Sequence, residues 1–131
     1  MNIDEFSVKA IGVPFKPHGR KWEGWDCWGL ICVAYKELFN IELPSYTDDY
    51  ESTKDREKIA ELYLKGRELS WYEVDRPDVG DIVFLYMFGR MCHVGLAVNE
   101  EKILHVEHGI NTCLERIKTF RIEGIYRYGG D

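Results

Sequence analysis

The stretch Gly24-Trp25-Asp26-Cys27-Trp28-Gly29-Leu30 decides how the rest of the chain is read. It sets a cysteine directly behind an aspartate, a residue whose carboxylate caps helix N-termini, and directly ahead of an amphipathic run. Leu30, Ile31, Ala34, Tyr35, Leu38 and Phe39 follow the spacing of one helix face. With Asp26 as N-cap, Cys27 falls in the first turn, where unpaired backbone N–H groups and the positive dipole end favour an anion. A thiolate is such an anion, and helix N-termini depress thiol pKa values. Position alone leaves two readings of Cys27: a nucleophile, or the small buried hydrophobe that free cysteine more commonly is.

Working outward, Ile3, Phe6, Val8, Ala10 and Ile11 predict a short N-terminal helix fraying at Gly12-Val13-Pro14. Pro17, Gly19 and Gly24 mark 14–25 as a loop leading to Cys27. The Cys27 helix should stop near Asn40, because the residues before Pro44 are held extended. A second helix is expected after Ser52 or Thr53, with Gly66 just past its end. Beyond Trp71 the pattern changes. Pro77-Asp78-Val79-Gly80-Asp81 is a turn signal, followed by strands at Ile82 to Phe88, His93 to Val98, Lys102 to Glu107, Cys113 to Ile117 and Ile122 to Tyr128. Short spacings between them favour an antiparallel meander. Helices first and strands after give an α+β fold, with the helices on one face of the sheet.

The 131 residues suit one domain with one core, 1–131. With 45% hydrophobic and 31% charged residues the composition is that of an ordered globular chain. A formal net charge of -6 without a basic cluster disfavours nucleic acid and anionic membranes as partners. The start, Met1-Asn2-Ile3-Asp4-Glu5-Phe6, has no basic, apolar signal pattern, and no apolar run is long enough to span a bilayer. The expectation is synthesis in the cytoplasm, with carriage to any extracytoplasmic substrate by other means.

Cys27, Cys32, Cys92 and Cys113 are all read as thiols, since a chain of this size folds without staples. A zinc site built from them with His93, His105 and His108 is a competing idea. No Cys-x-x-Cys pair occurs and the histidine spacing fits no common zinc motif, so neither metal nor cofactor is expected. His93 opens one strand and His105 lies on the next, so a hairpin can set the two side by side. If the Cys27 helix docks its N-terminus on that sheet, His93 reaches the thiol and His105 orients His93, the nucleophile–base–orienter logic of a cysteine hydrolase. His108, ending the same strand, is a rival to His105, and His18 reads as a surface residue. Histidines satisfied at strand ends remain the duller alternative.

Four segments, in order, resemble NlpC/P60 cysteine peptidases, particularly the branch of tailed bacteriophages and gene transfer agents. They are Gly12-Val13-Pro14-Phe15 with Gly19-Arg20; Asp26-Cys27-Trp28-Gly29-Leu30; Gly80-Asp81-Ile82-Val83 leading to His93-Val94-Gly95; and Ile103-Leu104-His105. Leu43-Pro44-Ser45-Tyr46 and Ile125-Tyr126-Arg127 also look like the phage branch. The resemblance implies a papain-like core with Cys27 as nucleophile, His93 as base and His105 as third triad member. It implies hydrolysis of the γ-D-glutamyl bond to a diamino acid in peptidoglycan stem peptides, and association with phage tail proteins during cell-wall opening or tail assembly. The Cys27 backbone N–H is expected in the oxyanion site. Asp26, Trp25, Trp28 and Phe15 are expected to contribute to that site or to substrate binding, with Trp22 and Trp25 lining a groove and Trp71 in the core. Two departures stand out: Phe15 replaces a usual tyrosine, with Tyr35, Tyr46 or Tyr86 as possible substitutes, and Trp28 replaces a small residue. Two other readings share this core, a tail structural or assembly protein with reduced catalysis, and an acyltransferase or non-peptide amidase.

Overall fold

A computed structural model describes residues 1–46, 70–87 and 90–130, with 90–92 described by their backbone alone. The helix expected from about Ser52 to Gly66 lies outside the described residues. Helix α1, Ile3–Ala10, opens on a capping box in which Asn2 and Glu5 satisfy each other's backbone N–H. It buries Phe6 and Ala10. Helix α2, Cys27–Phe39, starts where the sequence predicts and stops at Asn40, whose left-handed backbone (φ 55°) closes the last turn.

Between them β1 (Arg20–Lys21) and β2 (Gly24–Trp25) form a small hairpin. The remaining strands are β3 (Trp71–Val74), β4 (Ile82–Met87), β5 (Arg90–Ala97), β6 (Lys102–Glu107), β7 (Ile110–Arg116) and β8 (Ile122–Tyr128). All their pairings are antiparallel, in the order β3-β8-β4-β5-β6-β7. The expected meander holds from β4 to β7, but β8 returns to lie between β3 and β4. Sequence patterning did not predict β3 or the β1–β2 hairpin, because both are too short to carry a hydrophobic period. With helices packed on an antiparallel sheet, the fold is α+β.

Strand alternation divides the sheet into two faces. Ile82, Phe84, Val94, Leu96, Leu104 and Val106 meet Leu30, Ile31 and Ala34 of α2 in the main core. Val83, Leu85, Ala97, Ile103, Ile117 and Ile125 form a second cluster. Burying each such side chain stabilises by roughly 1.5–3 kcal/mol, so this pattern holds α2 against the sheet. It packs on β5 and β6, the strands that carry His93 and His105.

Candidate active site

The Asp-Cys-x-Gly segment is built around the first turn of α2. Asp26 is the N-cap, wholly buried, and its Oδ1 accepts the Gly29 N–H at 2.8 Å. The same oxygen pairs with Arg20 Nη1 at 2.7 Å, while Oδ2 accepts from the His18 N–H at 3.2 Å. Cys27 is therefore held at the first helical position and is only 5% exposed. A side chain on Gly29 would place its Cβ 2.0 Å from the Gly19 carbonyl oxygen, so only glycine lets the preceding loop lie flush on this turn. Arg20 Nη1 also donates to that carbonyl, tying loop to cap.

Trp28, next to the cysteine, donates its indole N–H to the Pro44 carbonyl at 2.7 Å, and its ring lies 5.8 Å from that of Tyr46. Arg20 Nη2 donates to the Ser45 carbonyl. The Leu43-Pro44-Ser45-Tyr46 segment is thus the receiving surface for Trp28 and Arg20.

His93 and His105 meet as the strand spacing predicts. Their rings stand edge to face, with His93 Nε2 3.1 Å from His105 Nδ1, and both are buried. Gly95 allows this pairing of strands: a Cβ there would meet Ile103 Cδ1 at 2.7 Å. Burial first, and His105 second, push the pKa of His93 down from 6.5 to about 3, so its imidazole is neutral at neutral pH. The outer nitrogen of His105, Nε2, lies 2.9 Å from Glu115 Oε1 on β7. Glu115 was missed in the sequence. It becomes visible only through the β6–β7 register, which sets Cys113 across from His105 and Glu115 two residues further along the same face. His108 sits in the exposed turn after β6, with its ring edge-on to Phe15 at 5.6 Å, and His105 alone pairs with His93 among the described histidines.

Two expected site residues are corrected. Trp25 does not line a groove: it is fully buried, stacked near Phe6, and its indole N–H donates to Thr112 Oγ1 at 2.8 Å. Asp26 does not face substrate either, since its carboxylate is buried and committed to the cap, the loop and Arg20. Trp22 is half-buried among Phe6 and Trp25, and Trp71 is half-buried between Tyr35 and Tyr128. Phe15 is half-buried beside the Trp25 backbone. Tyr35 donates its hydroxyl to the Gly80 carbonyl and lies about 12 Å along the helix from Cys27, too far to replace a tyrosine at 15.

Among the other thiols, burial raises Cys32 to about 12, and Cys113 is raised by burial and then by Glu115. Cys27, Cys32 and Cys113 are thiols, with no disulfide among them. The donor atoms of His105, Cys113 and Glu115 lie within 4.8 Å of one another, the one such group able to hold a metal among the described residues. Asp81 and Arg127, from the Gly80-Asp81-Ile82-Val83 and Ile125-Tyr126-Arg127 segments, form a bidentate pair with both contacts at 2.9 Å that joins the start of β4 to β8. Their role is to hold the sheet together.

The sequence profile of the NlpC/P60 family matches residues 12–121. The chain is 28% identical over 81 residues to the murein DD-endopeptidase MepH of Escherichia coli, covering 61% of this chain and 30% of that protein. It is 27% identical over 99 residues to a probable endopeptidase NlpC homolog of Haemophilus influenzae, covering 76% and 44%. It thus spans less than half the length of either relative. The crystal structure of the NlpC/p60 domain of the peptidoglycan hydrolase SagA superposes with a TM-score of 0.68 at 18% identity, covering 95% of both chains. That likeness shows a shared fold.

Proposed function

The chain belongs to the NlpC/P60 family, and from that premise we propose that it is a cysteine peptidase hydrolysing amide bonds in peptidoglycan stem peptides, with Cys27 as nucleophile, His93 as general base and His105 orienting the base. The observation that carries the proposal is the hydrogen-bonded run from half-buried Glu115 through the buried His105 to the buried His93, on strands of a sheet whose β5 and β6 pack against the helix that opens at Cys27. With one proton on each ring, the acceptor-only carboxylate of Glu115 takes the His105 Nε2–H. His105 Nδ1 then accepts from His93 Nε2–H, and His93 Nδ1 is left with a lone pair. That is the state a base needs to take a thiol proton.

Attack of the Cys27 thiolate on the amide carbonyl forms a tetrahedral oxyanion. The Cys27 backbone N–H and the positive end of α2 stabilise it. The imidazolium of His93, held by His105, gives its proton to the departing amine. Water, deprotonated by His93, then hydrolyses the thioester. Every group used lies on the described residues.

The substrate class follows from relatives named as endopeptidases, one of them acting on murein. The γ-D-glutamyl–diamino acid bond is the narrower choice, drawn from the family's usual activity. Phage-tail association is narrower still. It is supported by Trp28, Leu43-Pro44-Ser45-Tyr46 and Ile125-Tyr126-Arg127. Phe15, which brings no hydroxyl to its position, favours the second reading of a tail protein with reduced catalysis.

Purified sacculi incubated with the parent and with Cys27→Ala test the proposal. The parent should release soluble peptides whose masses identify the cleaved bond, and the variant should fall by ~10⁴-fold or more, as when other catalytic nucleophiles are removed. Equal release by both proteins would refute the assignment.

A further inference from the structure

His105 has a second set of neighbours on the side away from His93. Cys113 Sγ is 3.7 Å from His105 Nε2 and 3.7 Å from Glu115 Oε1, and the third edge, His105 Nε2 to Glu115 Oε1, is 2.9 Å. In a tetrahedral zinc site with bonds of ~2.0–2.3 Å, sulfur lies ~3.6 Å from nitrogen or oxygen ligands, and these lie ~3.3 Å from each other. Two edges already match. The third closes with a widening of ~0.4 Å, which Glu115 can supply because its side chain is 35% exposed. That exposure also gives a cation its path in and leaves the fourth vertex to water.

We propose that His105, Cys113 and Glu115 form a site for a thiophilic divalent cation, Zn²⁺ foremost, and that its occupation switches off the histidine relay. An imidazole, a thiolate and a carboxylate are zinc's own donor set. Strand pairing fixes two of them, since His105 and Cys113 are direct cross-strand partners.

The switch follows from proton placement. A metal on His105 Nε2 needs that lone pair, so the ring keeps its single proton on Nδ1 and donates it to a neighbouring acceptor. The acceptor in place is His93 Nε2, 3.1 Å away. His93 then holds its own proton on Nδ1, the nitrogen that catalysis needs bare. Each ring keeps one proton throughout, and the Cys113 thiol proton leaves to solvent. The switch rests on the peptidase reading above; the metal site does not.

Titration of the full chain with Co²⁺, followed by Zn²⁺ competition, tests the site. The parent should show one equivalent of thiolate-to-cobalt charge transfer, displaced by Zn²⁺. Cys27→Ala should retain the band, and Cys113→Ala and Cys113→Ser should lose it. Zn²⁺ affinity should drop at least ~10-fold in the Cys113 variants, since even groups that only orient a ligand carry that much. Absence of the band in the parent, or its survival in a folded Cys113 variant, would overturn the site.

On sacculi, Zn²⁺ should inhibit the parent reversibly to EDTA, while Cys113→Ala keeps parent-level activity and resists. Parent activity unchanged by saturating Zn²⁺, or equal inhibition of Cys113→Ala, would overturn the switch. Metal binding as expected in a parent that cleaves no wall peptide would support the site and refute the peptidase.

Discussion

Acid should destabilise this protein through His93. The side chain is 4% exposed, and burial with His105 beside it lowers its pKa from 6.5 to about 3. Between those values the unfolded chain binds a proton that the native state excludes. Stability therefore rises with pH across the window and is lost as pH falls below 6.5. At about pH 5 the unfolded imidazole is nearly all charged, and the difference from about pH 7.5 is ~2 kcal/mol. Any native pKa below ~4 gives the same figure. Urea unfolding at the two pH values, for the parent and for His93→Gln, isolates this contribution from that of the carboxylates. The parent should lose ~2 kcal/mol more than the variant on acidification. Equal losses would refute a neutral, buried imidazole at position 93.

Iodoacetamide labelling with peptide mapping should modify Cys27 before Cys32 at neutral pH, although Cys32 is the more exposed, because a thiol pushed up to about 12 has almost no thiolate. Faster labelling of Cys32 would count against an activated Cys27. Thr112→Val keeps the side-chain shape but strands the buried Trp25 indole N–H, now bonded at 2.8 Å. The expected loss is ~1–3 kcal/mol by denaturant melt, and an unchanged midpoint would show that water replaces the hydroxyl. Gly29→Ala drives a methyl into the Gly19 carbonyl, so the loop must lift from the first turn of α2. A cost of ~1–3 kcal/mol is expected, and a melting temperature equal to the parent's would show the loop free to move.

What could be read in the linear chain was whatever local chemistry controls. Asp26 before Cys27 specifies a cap, the helical period runs to Asn40, and β-forming runs mark the strands from Ile82 onward. Each of these depends on neighbours within a few residues. The His93–His105 pairing was also accessible, since a short hairpin leaves few ways to set two strands together. Register and burial were not accessible. Glu115 joins His105 because β7 pairs with β6 in one alignment, and a slip of a single residue would turn its carboxylate to the other face. Trp25 and Asp26 stand beside Cys27 in sequence yet point into the interior, where Thr112 reaches Trp25 from far along the chain and Arg20 reaches Asp26 from the folded-back loop before it. The sequence by itself determined the helix that presents the thiol and the strands that present the imidazoles. Only the tertiary structure decided which side chains meet the imidazoles, because cross-strand neighbours are chosen by hydrogen-bond register and not by separation along the chain.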